Sequence, residues 1–299
     1  MGGMFDILRN AWKIPDLRKK ILFTVGMLII FRIGSFIPVP GIDREVYDEL
    51  VNRGGSLFGF LDIITGGSFK SASIFAMSII PYINASIIMQ LLTVVIPKLG
   101  QLAREGEEGK KIIGKYIRYG TVVFAFLEAT GYYFSLSGYM VGGRSIINYI
   151  TVTLTFTAGT AFLMWLGEQI TEFGIGNGIS LIIFAGIISR GPTGATALIQ
   201  NFQAGNLGPT TLISVLVTAL ILLVFVGVIT GVVWVQEAER RIPVQYAKRV
   251  VGRKMYGGQS THLPIKVNLG GVIPIIFAMS LVAFPSLVLG FAFPNSPNP

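Results

Sequence analysis

Among its 299 residues the sequence has no cysteine and one histidine, His262. A disulfide framework and a thiolate metal site are therefore excluded. His262 lacks the partner residues that a metal centre or a catalytic triad requires, and it reads as a solvated loop side chain. Charge is also scarce, at 13% of residues against about 25% in ordinary soluble domains. Hydrophobic residues make up 52%, so water is not the main solvent of this chain.

What is present instead is a series of long apolar runs, around residues 21–37, 72–96, 119–138, 149–167, 211–235 and 269–291, with a shorter one at 178–190. Each of the long runs matches a hydrocarbon core of about 30 Å, and together they predict seven membrane spans. A cleavable leader is not expected, because the first run is long, starts after about twenty residues and has no small-residue cleavage site behind it. Eighteen of the 24 basic residues fall before the first span, after the second or after the sixth. The positive-inside rule makes those segments, and the N-terminus, cytoplasmic. An odd number of spans places Pro299 on the opposite side.

Between the first two spans, SLFGFLDIITGG (56–67) has Leu57, Leu61 and Ile64 at helical spacing between glycine pairs. It is too short to span, which leaves a re-entrant, hinged element or a surface helix on the outer leaflet. The loop 236–268 reads as a basic hairpin-like protrusion suited to an acidic partner. GIGNG at 174–178 lacks dinucleotide-loop spacing and reads as an unwound turn before a helix that starts at Asn177. Arg32 and Glu128 fall inside spans, where exposure to lipid is costly, so each is expected to face protein or water. Glu128 reads as a residue lining a wet crevice.

The stretch SASIFAMSIIPYINASIIMQLLTVVIP (71–97) is apolar enough to span yet carries Pro81, Asn84, Ser86 and Gln90. Read as one helix, it places Phe75, Ile79, Ile83, Ser86, Gln90 and Thr93 on a stripe that is apolar above and polar below. Ile79 then lies about 12 Å below the outer end. This is the pattern of a polar funnel rising to an apolar neck, with helix packing through small polar residues as the alternative. NLGGVIPIIFAMS (268–280) repeats the theme with Ile273, Pro274 and Ile276. Paired proline-interrupted spans point to a pathway between two halves.

RIGSFIPVPGI (32–42), GGSFKSASIFAMSIIPYINASIIMQLLTVVIP (66–97), FLMWLGEQITEFGIGNGISLIIFAGI (162–187) and AKRVVGRKMYGGQSTHLPIKVNLGGVIPIIFA (247–278) resemble the SecY family of channel subunits of the bacterial protein translocase. The resemblance implies an all-α, polytopic membrane bundle of pseudo-symmetric halves. Residues 1–190 would be the N-terminal half with helices one to five. Residues 191–299 would be a partial C-terminal half with helices six and seven and the loop 236–268.

Carried onto matching positions, the resemblance places an apolar pore ring on Ile79, Ile83, Ile179, Ile183 and Ile276, with Ile273 adjacent. It places a plug on Leu57, Phe58, Leu61 and Ile64, and polar lateral-gate positions on Ser86, Gln90 and Asn268. Partner docking falls on Lys248, Arg249, Arg253 and Lys254. The implied partners are the small subunits SecE and SecG, the SecA motor, the ribosome, signal peptides, unfolded secretory polypeptides and membrane lipid. No cofactor, metal or enzymatic step is implied, and the location is the bacterial cytoplasmic membrane. The chain stops after its seventh span, so it reads as truncated, with no residues for helices eight to ten. The rival class is a secondary transporter, which needs a polar site at the midplane.

Overall fold

The computed structural model describes residues 12–42, 62, 65–136, 143, 145–206, 210–244, 249–251, 254–256, 261–268 and 278. Those up to Pro192 form one compact unit, and those from Thr193 onward form another.

Helix α1 (Pro15–Gly34) opens on a proline, which suits a first turn because its missing N–H would have no partner there. Helix α2 (Ile80–Val95) also opens on a proline, Pro81, and so does α3 (Pro97–Arg104). The pair α2–α3 is bent by 104° at Ile96. Helices α4 (Glu107–Leu136) and α5 (Ile146–Phe173) follow, then α6 (Gly178–Ser189) and α7 (Gly191–Gln203). Ser145 caps α5 by accepting from the Ile147 N–H, and Asn177 caps α6 by accepting from the Ser180 N–H at 3.0 Å. The turn expected at GIGNG is thus present. It sits hard against α5, where a Cβ on Gly178 would come within 2.0 Å of the Gly167 carbonyl.

Helix α5 is the centre of the first unit, with α1, α4 and α6 packed around it and α2 packed on α4. Eleven of its residues are buried. Thr155, Thr157 and Thr171 donate their hydroxyls to carbonyls one turn back, Thr157 to Thr153 at 2.8 Å. Such a back-bond lets Thr157 lie buried in an apolar bundle without stranding its hydroxyl group, whereas the hydroxyls of the buried Thr153 and Thr160 have no partner among the described residues.

The sequence predicts a helix across 72–96, but the structure starts it at Ile80. Residues 65–79 form a chain of turns, and Pro38 bridges Ser73 beside them. Pro81 therefore opens a helix rather than interrupting one. Phe75 and Ile79 leave the helical stripe, and the depth inferred for Ile79 does not apply. Only Ile83, Ser86, Gln90 and Thr93 of that stripe share α2. The apolar residues of the turns are not wasted. Phe69, Ala72, Ala76 and Met77 pack with Tyr133, Val152 and Phe156, while Phe75 stacks on Phe31 at 6.1 Å and on Phe162 at 5.9 Å.

Ala72 (φ 44°) and Ser78 (φ 52°) are held in left-handed conformations in these turns. Such a conformation costs a non-glycine residue about 1–2 kcal/mol. Ser78→Gly should therefore leave thermal stability in detergent unchanged or raise it, while Ser78→Val lowers it. A helical 72–79 would give the opposite sign for glycine, a loss of about 1 kcal/mol.

By length and composition, three helical stretches among the described residues can cross a membrane: Ile146–Phe173, Gly178–Gln203 and Leu212–Glu237. The bent pair α2–α3 makes a fourth if it is one span. Two of the seven predicted spans, α1 and α4, fall short on composition. Arg18, Lys19, Lys20 and Arg32 lie in α1, and α4 begins among charges and carries Glu128. Both still turn large apolar side chains outward, such as Ile29 and Ile33 on α1 and Val123 and Phe126 on α4. Apart from residue 278, the predicted span at 269–291 lies outside the described residues. Helix α7 extends the fifth span to Gln203, beyond the apolar run that marks it in the sequence.

In the second unit, α8 (Thr211–Glu237) exposes nearly all its large apolar side chains, as a helix does whose surroundings are hydrocarbon rather than water. Strands β1 (Glu239–Val244) and β4 (Thr261–Lys266) then pair antiparallel, from Glu239 opposite Lys266 to Val244 opposite Thr261. Strands β2 (Arg249–Val251) and β3 (Lys254–Tyr256) form a second short pair. The expected hairpin-like protrusion is this ladder, and His262 is an exposed residue of β4.

Candidate functional site

Ile79 is the residue before α2, and it is 1% exposed. One turn on, the Ile83 N–H bonds the Ile79 carbonyl at 3.0 Å, so the two residues are fixed relative to each other. Across from them α6 supplies Ile179 and Ile182. These residues share one apolar cluster with Phe31 of α1, Phe75 of the turns, and Leu163, Leu166 and Ile170 of α5. Ile79 and Ile182 are fully buried, while Ile83 and Ile179 are half-buried against the cluster.

Three of the five isoleucines singled out in the sequence, Ile79, Ile83 and Ile179, are thus brought together. Ile183 is half-buried on α6 but is not among the residues packed on the cluster. Ile273 and Ile276 lie outside the described residues. Phe31, Phe75, Ile182 and the α5 residues Leu163, Leu166 and Ile170 are the other buried members of the cluster. The apolar run of α6 does not distinguish Ile182 from its neighbours, so the sequence carries no signal that would single it out.

Below Ile83, α2 turns polar. Ser86 is half-buried, Gln90 is exposed, and the Gln90 carbonyl accepts a bond from the Thr93 hydroxyl at 2.6 Å. Asn268, the third residue expected at a gate, is half-buried just after β4. Asn84 turns to α4 and donates to the Glu128 carboxylate at 3.0 Å. Glu128 is 9% exposed. On α4 it faces α2 with an amide as its partner, and protein is one of the two surroundings expected for it.

The residues expected to form a plug, Leu57, Phe58, Leu61 and Ile64, lie outside the described residues. So do Lys248 and Arg253 of the docking set. Arg249 and Lys254 open β2 and β3, and Arg249 is paired with Tyr256 and Lys254 with Val251. Among the described residues, no group of three or more His, Asp or Glu side chains could hold a metal ion.

The family model named SecY matches residues 73–298. The chain is 50% identical over 291 residues to the protein translocase subunit SecY of Halalkalibacterium halodurans, covering 96% of this chain and 67% of that protein. It is 46% identical to the same subunit of Thermotoga maritima, over 95% of this chain and 66% of the relative. The Escherichia coli K12 subunit is also 46% identical, over 92% and 62%. Among solved structures, a protein conducting channel aligns with a TM-score of 0.61 at 24% identity, over 92% of this chain and 59% of that one. Sec61 from a canine ribosome–channel complex aligns with a TM-score of 0.58 at 23% identity, over the same shares. This chain therefore spans about two thirds of the length of these curated relatives.

Proposed function

The chain belongs to the SecY family, and on that premise we propose that it is the central, non-enzymatic subunit of a protein-conducting channel. The channel would pass unfolded secretory polypeptides across the bacterial cytoplasmic membrane and release apolar segments sideways into lipid. The observation that carries this reading is that Ile79, Ile83, Ile179 and Ile182 share one apolar cluster, built on α5 with Phe31 of α1. A narrow ring of branched apolar side chains excludes water and ions by dewetting, and it can part around a passing chain because it offers no specific bonds to break.

In this reading the N-terminus and the β hairpin are cytoplasmic, as the distribution of basic residues supports. The hairpin carries Arg240, Arg241, Arg249, Lys254 and Lys266, with Lys248 and Arg253 in its connections. This basic surface would dock SecA or the ribosome by a screened attraction. The Sec61 relative solved in a complex with a ribosome supports the second of these partners. SecE and SecG would cover apolar flanks in the membrane. Residues 56–67 would act as the plug, Ile183, Ile273 and Ile276 would complete the ring, and Ser86, Gln90 and Asn268 would line the lateral gate.

The test is photocrosslinking from a benzophenone side chain at position 79 or 83 to a stalled secretory polypeptide in membranes. A crosslink that appears only while the polypeptide is in transit is the expected result. Protection of position 79 by a small solute, with no crosslink to the polypeptide, would replace this reading with a secondary transporter.

A further inference from the structure

We propose that the ladder of β1 and β4 carries an apolar docking face, and that this face seats an amphipathic helix of the motor protein through contacts that do not depend on charge. The inference rests on the docking role proposed for the hairpin and adds a second, chemically different surface to it.

The register sorts the ladder into two faces, because residues directly opposite in an antiparallel pair point the same way and successive residues alternate. Arg240 lies opposite Ile265 and Ile242 opposite Leu263, so these four share one face with Val244. Val267, two residues beyond Ile265, continues it. The other face holds Glu239, Arg241, Pro243, His262, Pro264 and Lys266. Ile242, Leu263, Ile265 and Val267 are between 38% and 63% exposed. A two-stranded ladder is marginal in water by itself, so a row of open aliphatic side chains on one face marks a surface that a partner covers.

Prolines decide how that partner can bind. The Val267 N–H bonds the Ala238 carbonyl at 3.0 Å, which fixes the phase of the ladder. The pairs in step with it, Arg240–Ile265 and Ile242–Leu263, exchange the cross-strand bonds, and the pairs between them turn their backbone groups outward. Pro243 and Pro264 both stand at outward positions, one on each edge. Neither has an N–H, and among the described residues neither edge pairs with a further strand. Addition of a partner strand would need those donors, so both edges are blunted and the open face is left as the seat.

The chemistry of the face selects its occupant. RNA is held by basic side chains and by stacking on aromatic rings, and a peripheral membrane contact by clustered basic residues with aromatic anchors. This face has one cation, Arg240, and no aromatic residue. Aliphatic side chains around a single arginine fit a helix with an apolar stripe and a carboxylate placed to meet Arg240. Of the two partners proposed above, the ribosome presents largely RNA and the motor is protein throughout, so the motor is the one that fits.

The test is binding of purified SecA to the assembled complex in nanodiscs, without substrate, at low salt and at about 1 M salt, where the screening length is about 3 Å. The parent should keep a measurable affinity at high salt. Threonine favours strands, so Ile242→Thr with Leu263→Thr keeps the ladder while removing apolar surface, and it should weaken binding about tenfold at both salt concentrations. Arg241→Gln with Lys266→Gln should weaken it at low salt only. His262→Asn, on the opposite face, should change neither.

The chain has no cysteine, so Leu263→Cys carries a single environment-sensitive label. Its emission should shift to the blue when SecA is added at high salt and stay in place when ribosomes are added. A label already blue-shifted without SecA would mean that lipid covers the face, and a shift with ribosomes alone would mean that RNA does. Either result overturns the proposal, as does equal affinity of the threonine variant and the parent at high salt. A parent complex that binds no SecA at any salt removes the docking role of the hairpin itself, and this inference with it.

Discussion

Replacing Ile79, Ile83 and Ile179 together by Asn should raise the resting ion current of the assembled complex in a planar bilayer by an order of magnitude or more. All three side chains belong to or pack on one cluster, and Ile79 is buried within it. An amide buried there without a partner costs about 1–3 kcal/mol by protein mutational data. Three of them favour any arrangement that admits water, and each 1.4 kcal/mol changes the population of such an arrangement tenfold. Leu or Val at the same positions keeps the site apolar, costs under about 1.5 kcal/mol each and should leave the current close to that of the parent. A folded triple Asn variant that leaks no more than the parent would show that these isoleucines are packing and that the barrier lies elsewhere.

The parts of this architecture that are readable from sequence follow from local composition. Lipid-length apolar runs and the hairpin of 239–266 each depend on residues close together in the chain. The turn and capped helix at GIGNG do so as well, through Asn177 and Gly178. The segment 65–79 departs from its expected helix for a physical reason. Its apolar residues, Phe69, Phe75, Met77 and Ile79, are buried against α1, α4, α5 and α6, so their spacing reflects three-dimensional packing rather than a helical period.

Long-range polar contacts are equally invisible in the sequence. Arg32 can be expected to face protein, but nothing near it names Gly66 or Ser189 as its partners. Glu128 can likewise be expected to face protein or water, but one sequence cannot show that Asn84 on another helix reaches it. Asp62 stands without emphasis in a short apolar segment, and Arg190, its ion-pair partner, reads only as a loop charge. Of the proposed site, therefore, Ile79, Ile83 and Ile179 are singled out through resemblance, and Ile182 and the contacts that position them are not.

Gly159 is where the turns of 65–79 meet the central helix, and adding a single methyl group there should be strongly destabilising. A Cβ at this position would lie 2.0 Å from the Ile74 carbonyl oxygen, 3.0 Å from its carbon and 3.4 Å from the Phe75 ring. The neighbour that must yield is backbone, and it is held. The Ile74 N–H bonds the Ile37 carbonyl at 2.9 Å, and the Val39 N–H bonds the Ala72 carbonyl at 2.9 Å. Phe75 cannot swing aside, because it is stacked between Phe31 and Phe162.

Gly159→Ala should accordingly cost about 2–3 kcal/mol, at the upper end of overpacking. That lowers the thermal midpoint in detergent by roughly 4–12 °C. Gly159→Val should prevent assembly of the complex. Gly227 of α8 is the control, since nothing lies within 4 Å of a Cβ built there. Gly227→Ala should be neutral, or should stabilise by up to about 1 kcal/mol through helix propensity. Equal shifts for the two alanine variants would mean that residues 72–75 do not rest on α5, and the placement of Ile79 in the seal would fall with them.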